Sequence, residues 1–207
     1  MRVTANEALQ RLRDGNARFV SGSYRSEPLR SQARRQELVA EQAPFAVILG
    51  CADSRVPVEI VFDQGLGDLF VIRVAGNIVA PSLIGSVEFA AERFGTRLVV
   101  VLGHTHCGAI YATLAALQKP ESTRSQNINS IVERVRPAVE GLMLTELRDD
   151  PVALAEQAVR ANIRASANQL RHGSAVVEQL ILHDGLQVVG AEYSLETGRV
   201  EFFEGLS

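Results

Sequence analysis

The sequence contains no tryptophan, and only two of its 207 residues are cysteine. Two cysteines could form one disulfide, but in the reducing, cytosolic setting that the features below predict we expect metal-bound thiolates instead. No apolar run reaches the roughly 18 residues that a membrane-spanning helix needs. The first residues also lack the apolar core of a signal peptide. These absences predict a cytoplasmic protein that does not enter a membrane.

A strong excess of charge is also absent, because the net charge is only −3. This value gives no reason to expect nucleic acid or an anionic membrane as a partner. The hydrophobic content of 46% and the charged content of 22% are ordinary for a globular protein with a sizeable core. The length fits a single domain over residues 1–207, and no internal repeat or low-complexity stretch divides it.

Four short apolar runs alternate with helix-like segments, and each run has the length and composition of a buried strand. The predicted strands are Phe45–Leu49, Leu69–Val74, Leu98–Leu102 and Leu186–Gly190. Strands that alternate with helices form a mostly parallel sheet with right-handed crossovers. The predicted fold class is therefore α/β, with a mostly parallel central sheet flanked by helices.

Both ends of the chain carry segments outside this alternation. Thr4 and Glu7 form a capping-box pattern that begins one helix, and a second helix is expected over about residues 30–41. Since both helices precede the first strand, they are not crossovers within the sheet, and such elements often pack on a neighbouring subunit. At the other end, Tyr193–Phe203 is typical of a hairpin that adds a C-terminal edge strand.

Each cysteine follows an apolar run and lies beside a glycine. The first belongs to C-A-D-S-R at residues 51–55, and the second belongs to G-H-T-H-C-G at residues 103–108. In parallel sheets, ligands bind beyond the carboxyl ends of the strands, where the strand order reverses. If the first and third strands are neighbours, the two motifs meet at that edge. We therefore assign both motifs to one site.

Cys51, His104 and Cys107 offer two thiolates and one imidazole, a donor set that favours zinc. Three protein ligands leave one position for water, as in catalytic zinc sites, although Asp53 is close enough in sequence to occupy it instead. Alternatively, the cysteines are small buried hydrophobic residues and His104 is an ordinary strand-end histidine. Asp53 and Arg55 also allow two interpretations, because they can orient a zinc-bound hydroxide or form only a salt bridge.

Together, the two motifs resemble those of the β-class carbonic anhydrases. The similarity extends to F-D-Q-G-L-G-D-L-F-V-I-R-V-A-G-N at residues 62–77 and G-S-V-E-F-A at residues 85–90, and so covers most of the chain. The resemblance implies an α/β fold, a homodimer or a larger assembly such as a homotetramer, and zinc-dependent hydration of CO2 to bicarbonate and a proton.

The resemblance also implies roles for individual residues. Cys51, His104 and Cys107 are the implied Zn2+ ligands, and Asp53 and Arg55 form the implied catalytic pair. The implied substrate-binding residues are Gln42, Phe70, Ala75, Phe89 and Gly108. The backbone NH of Gly108 is the group involved, and Gln42 is expected to reach the zinc of a partner subunit that the N-terminal helices embrace.

Members of this family differ at the fourth zinc position, which holds either water or the aspartate of C-x-D. The closed form with a bicarbonate pocket uses a tryptophan three residues before the first cysteine, where this sequence has Ile48. We therefore expect water on zinc and Asp53 paired with Arg55 at or above about pH 8. Closure by Asp53 below about pH 7 is left open.

Two questions of function stay open at the level of sequence. His106 is either a proton shuttle, because the ordinary pKa of imidazole is about 6.5, or a packing residue at the pocket rim. The same zinc centre would also suit hydrolysis of CS2 or COS, and no residue separates these substrates from CO2. A catalytically silent, zinc-stabilised scaffold is the other alternative, but the presence of Asp53 and Arg55 argues against it.

Overall fold

A computed structural model describes residues 3–25, 31–119 and 125–206. Within these ranges the strands form one five-stranded sheet. The strands are β1 (Ala46–Gly50), β2 (Leu69–Arg73), β3 (Leu98–His104), β4 (Gln187–Tyr193) and β5 (Val200–Glu204). Every residue of β1 and β3 is buried, as expected for strands covered on both faces.

The helices occupy the crossovers and the N-terminal segment. They are α1 (Ala5–Ser21), α2 (Gln32–Glu37), α3 (Val58–Val61), α4 (Pro81–Arg93), α5 (Gly108–Gln118), α6 (Gln126–Val139), α7 (Pro151–His172) and α8 (Ala175–His183). Short 3-10 turns lie at Ala75–Asn77, Glu140–Leu144 and Glu146–Asp149. The predicted capping box is present, since Thr4 Oγ1 accepts from Glu7 N and the Glu7 carboxylate accepts from Thr4 N.

The sheet order is β2-β1-β3-β4-β5, with β1 to β4 parallel and β5 antiparallel to β4. The predicted α/β fold class is therefore confirmed. β1 and β3 are neighbours, with Gly50 opposite Leu102. Since β2 and β3 lie on opposite sides of β1, the strand order reverses between β1 and β3. Their carboxyl ends form the edge at which a ligand site is expected.

The two faces of the sheet are covered by different helices. Val99 and Val101 pack in a cluster with residues of α4 to α8, whereas Val100 and Leu102 pack in a second cluster with α1 and α3. Alternate residues of a strand point to opposite faces, which explains this division of the valine run. α1, which precedes the sheet, and the short α3 therefore cover the face that α4 to α8 leave open.

One face of α1 packs on the protein's own sheet, where Ala8 and Leu12 are fully buried. The residues on the other faces of this helix stay accessible, and a contact of α1 or α2 with a partner subunit stays a prediction. No residue of α2 is buried, and Val39 directly beyond it is 84% exposed. The second helix is also shorter than predicted, and Arg30 lies outside the described residues.

Several element boundaries differ from those predicted. β3 continues through Gly103 to His104, although the glycine was expected to end it. β4 continues to Tyr193 and is itself one arm of the C-terminal hairpin. The loop expected over residues 118–129 is shorter, because α6 begins at Gln126; this helix ends at Val139, shortly after Pro137. Among the described residues, no helix is long and apolar enough to cross a membrane.

Candidate active site

The edge formed by β1 and β3 brings three potential metal ligands together. Cys51 follows β1, His104 ends β3, and Cys107 is the N-cap residue of α5. Their ligand atoms all lie within 4.8 Å of one another, and the three residues are buried. The two sequence motifs therefore meet at one place because β1 and β3 are adjacent.

The orientation of the His104 ring suits metal binding. Nδ1 donates a hydrogen bond to the carbonyl oxygen of Thr105 over 2.8 Å, which leaves the lone pair on Nε2. Nε2 is buried and has no hydrogen-bond partner within the described part of the chain. A buried polar atom without a partner is costly, so a ligand at Nε2 would satisfy it.

The two thiols are placed so that one of them ionises readily. A hydrogen bond from Cys107 lowers the pKa of Cys51, and the Gly76 amide adds a second donor 3.3 Å from Cys51 Sγ. The same pairing and burial raise the pKa of Cys107. A metal ion would replace the proton that the two sulfurs share and would hold both of them as thiolates. The donor set of two sulfurs and one nitrogen fits zinc.

Asp53 and Arg55 form a bidentate pair beside this cluster. Arg55 Nε donates to Asp53 Oδ1 over 2.9 Å, and Nη2 donates to Oδ2 over 2.7 Å. These hydrogen bonds hold the pKa of Asp53 well below its usual range. Asp53 Oδ2 lies 3.8 Å from His104 Nε2, although Asp53 is not part of the compact ligand cluster. An ionised carboxylate thus lies beside the three candidate metal ligands.

Two of the predicted pocket residues lie at the same edge. Ala75 begins the 3-10 turn whose Gly76 amide contacts Cys51 Sγ. Gly108 is the first residue of α5, directly after the N-cap residue Cys107. Its amide is one of the free NH groups that a helix N-terminus presents to an anion.

The other three predicted pocket residues lie at the opposite edge of the sheet. Gln42 precedes β1 and lines a surface groove of about 600 Å³ together with Phe94. Phe70 pairs with Val47 near the start of β1, and its ring centroid lies 6.2 Å from that of Phe89 and 6.0 Å from that of Phe94. Phe89 is 53% exposed. This chain therefore does not bring these residues to its own Cys51 cluster.

Sequence reasoning missed two polar contacts that fix the motif loops. Arg73, at the end of β2, donates from Nε to the carbonyl of Cys51 over 3.0 Å and from Nη2 to that of Asp53 over 2.6 Å. Glu196 in the C-terminal hairpin contacts both Thr105 and His106. The position of Arg73 at the end of a predicted strand was a weak indication that it lies near the site. No sequence pattern around Glu196 indicated such a position.

Comparisons with known proteins agree with this geometry. The family model described as carbonic anhydrase matches residues 46–200. A carbonic anhydrase of Mycolicibacterium smegmatis is 40% identical over 94% of this chain and 91% of its own length. Carbonic anhydrase 2 of Mycobacterium tuberculosis is 39% identical over 93% of this chain and 89% of its own length.

A solved structure shares the fold. A tetrameric β-carbonic anhydrase from Sordaria macrospora superposes with a TM-score of 0.73 at 23% identity, over 82% of this chain and 85% of that chain. The family match, which covers most of the sheet and both motifs, and the two relatives of similar length agree on one assignment. The chain belongs to the β-carbonic anhydrase family and is an enzyme of the carbonic anhydrase class.

Proposed function

We propose that the protein catalyses the reversible hydration of CO2 to bicarbonate and a proton, with zinc held by Cys51, His104 and Cys107. One observation carries the proposal. The buried, unpartnered Nε2 of His104 lies among two thiols and beside the ionised Asp53. A purely structural zinc site would require a fourth ligand, but no such ligand is part of the described cluster.

Zinc in this position would supply a nucleophile at neutral pH, because it lowers the pKa of a coordinated water to about 7. The role of Asp53 is to accept a hydrogen bond at Oδ2 and thereby to orient that nucleophile toward CO2. Arg55 keeps Asp53 ionised and fixes both of its oxygens by the bidentate pair. The role of the Gly108 amide, at the N-terminus of α5, is to donate to an oxygen of the product anion.

The bidentate pair also supports an open fourth zinc position. An Asp53 that accepts from two side-chain donors and the backbone amide of Arg55 is less available to the metal. Ile48 has no side-chain donor for the alternative pocket. The test is a crystal structure of the zinc form at about pH 8. An Asp53 oxygen within about 2.2 Å of the metal would contradict this arrangement.

We infer that the substrate pocket is completed by a second copy of the chain. Gln42 and Phe89 lie at the sheet edge opposite Cys51, and both are exposed. A twofold assembly would bring these residues of one copy to the Cys51 cluster of the other. The Sordaria macrospora relative is tetrameric, and we propose a homodimer or homotetramer here.

Mixing two inactive variants tests the shared pocket. Gln42→Ala removes the side-chain amide that the proposal places in the partner's site, and Cys107→Ala removes a metal ligand from the variant's own site. A heterodimer of the two retains one intact site, so refolding an equal mixture should recover about a quarter of wild-type activity. If Gln42 serves its own chain, the mixture stays inactive.

The reaction itself is tested by stopped-flow CO2 hydration with metal analysis of the same sample. We expect activity that depends on about one zinc per chain. Sulfide release from CS2 and COS, measured in parallel, separates the sulfur substrates from CO2. Zinc-loaded, folded protein without any of these activities would support the silent scaffold instead.

The single domain and the cytoplasmic location stay predictions. Cell fractionation tests the location.

A further inference from the structure

The C-terminal hairpin is tied to the turn that carries two of the three candidate metal ligands. Thr105 N donates to the carbonyl of Tyr193 over 3.0 Å, and Leu195 N donates to Thr105 Oγ1 over 3.0 Å. Thr105 Oγ1 in turn donates to Glu196 Oε2 over 2.9 Å. The turn between β4 and β5 thus lies directly against the segment between His104 and Cys107.

His106 occupies a conformation that requires such support. Its φ of 55° is left-handed, which is uncommon for a residue other than glycine and costs free energy. The ring is held on both sides. Its Nε2 donates to Glu196 Oε1 over 2.5 Å, and the ring stacks on Tyr111 with centroids 6.5 Å apart. One carboxylate therefore fixes both Thr105 and His106.

The backbone of His106 leads from the hairpin to the catalytic pair. Its carbonyl accepts a hydrogen bond of 3.2 Å from Arg55 Nη2. The same Nη2 donates to Asp53 Oδ2 over 2.7 Å. Because Nη2 is shared, the direction of the His106 carbonyl helps to set the plane of the guanidinium and hence the position of Asp53 Oδ2.

We propose that Glu196 is a positioning residue, which holds His106 in its left-handed conformation and thereby fixes Arg55 against Asp53. Its side chain is 52% exposed and makes hydrogen bonds to Ser194, Thr105 and His106. An exposed side chain of this kind contributes little to the core. Its replacement should therefore change turnover much more than it changes folding.

The first experiment compares Glu196→Ala and Glu196→Gln with Glu201→Ala. Glu201 is a matched control, because it lies on the same hairpin but pairs with Arg160 on α7. We expect Glu196→Ala to lower kcat/KM for CO2 about tenfold at unchanged zinc content and with only a small fall in melting temperature, because the carboxylate is half exposed. Gln retains one acceptor oxygen and should restore part of the loss, whereas Glu201→Ala should stay near wild type.

The second experiment asks whether Glu196 acts through Arg55. Arg55→Lys removes the guanidinium group that contacts both His106 and Asp53. In this background, adding Glu196→Ala should therefore lower kcat/KM by less than about twofold. A crystal structure of Glu196→Ala should also show Arg55 Nη2 beyond about 3.5 Å from the His106 carbonyl.

The inference rests on the proposed function, and wild-type CO2 hydration in the same assay separates the two. An inactive wild type, loaded with zinc, overturns the proposed function. If the wild type is active, full activity of Glu196→Ala overturns the positioning role. The positioning role is also overturned if the effects of Glu196→Ala and Arg55→Lys on kcat/KM multiply in the double variant. It is overturned as well if the kcat/KM of Glu196→Ala falls only in proportion to lost zinc.

Discussion

Gly103 should not tolerate a methyl group, and the structure shows why. A Cβ at this position would lie 2.6 Å from both Cδ1 and Cγ1 of Ile163 on α7. Ile163 is fully buried. It cannot easily move toward the neighbouring strand, because its Cγ2 already packs closely on Gly190, where an added Cβ would lie only 2.8 Å away. Ile163 is therefore seated between two glycines of β3 and β4.

The size of the effect follows from these contacts. Non-bonded carbon atoms are at their best separation near 3.5–4.0 Å, so Gly103→Ala creates an overlap of about 1 Å. Overpacking of a close-packed core costs about 1–3 kcal/mol. For a chain of this size, the melting temperature should fall by roughly 2–12 °C. Since His104 is the next residue, we also expect weaker zinc binding.

A double-mutant cycle with Ile163→Ala measures the overlap directly. Ile163→Ala alone should destabilise by about 2–5 kcal/mol, because it empties a fully buried site. In that background the clash is absent, so Gly103→Ala should cost less than about 0.5 kcal/mol. The assay is urea unfolding of the zinc form, with zinc content measured on the same samples. An equal cost of Gly103→Ala in both backgrounds would refute the reasoning.

Two further changes test the metal ligands and the hairpin carboxylate. Cys107→Ala should abolish zinc binding and CO2 hydration together and lower the melting temperature, because metal binding adds to the free energy of folding; a zinc-loaded, active variant would contradict this. The pKa of Glu196 is lowered from 4.5 to about 2, because its own backbone amide and the Thr105 hydroxyl donate to the carboxylate. This contribution to stability is therefore present above about pH 4.5 and lost as the pH falls toward 2. The difference in melting temperature between wild type and Glu196→Gln should therefore become smaller as the pH falls from about 4.5 toward 2. A difference that does not depend on pH would contradict a stabilising role of the ionised Glu196 carboxylate.

Local sequence patterns predicted much of the fold. The apolar runs identified β1, β2 and the beginnings of β3 and β4, because a strand buried on both faces needs consecutive apolar residues. The capping box of Thr4 and Glu7 located the start of α1, because it depends on residues only three apart. Donor chemistry at Cys51, His104 and Cys107 also pointed to one metal site before their proximity was known.

Element ends and packing partners depended on contacts distant in sequence. Gly103 was expected to end a strand, but β3 continues because its pairing with β4 extends through Gly103 to His104, and Ile163 of α7 packs on the space that the missing side chain leaves. The pattern of α1 predicted an apolar helix face, and only the structure shows that this face covers the sheet of its own chain. A local pattern specifies that a face is apolar and does not specify which surface will cover it.

The sequence by itself determined the α/β class, the alternation of strands and helices, and the chemical character of the candidate site. These depend on side-chain type and short-range spacing. Only the tertiary structure decided that Gln42 and Phe89 lie at the sheet edge opposite Cys51, and that Glu196 reaches Thr105 across 91 residues of chain. Strand order and the path of the hairpin set those distances, and both follow from how the whole chain buries its apolar surface.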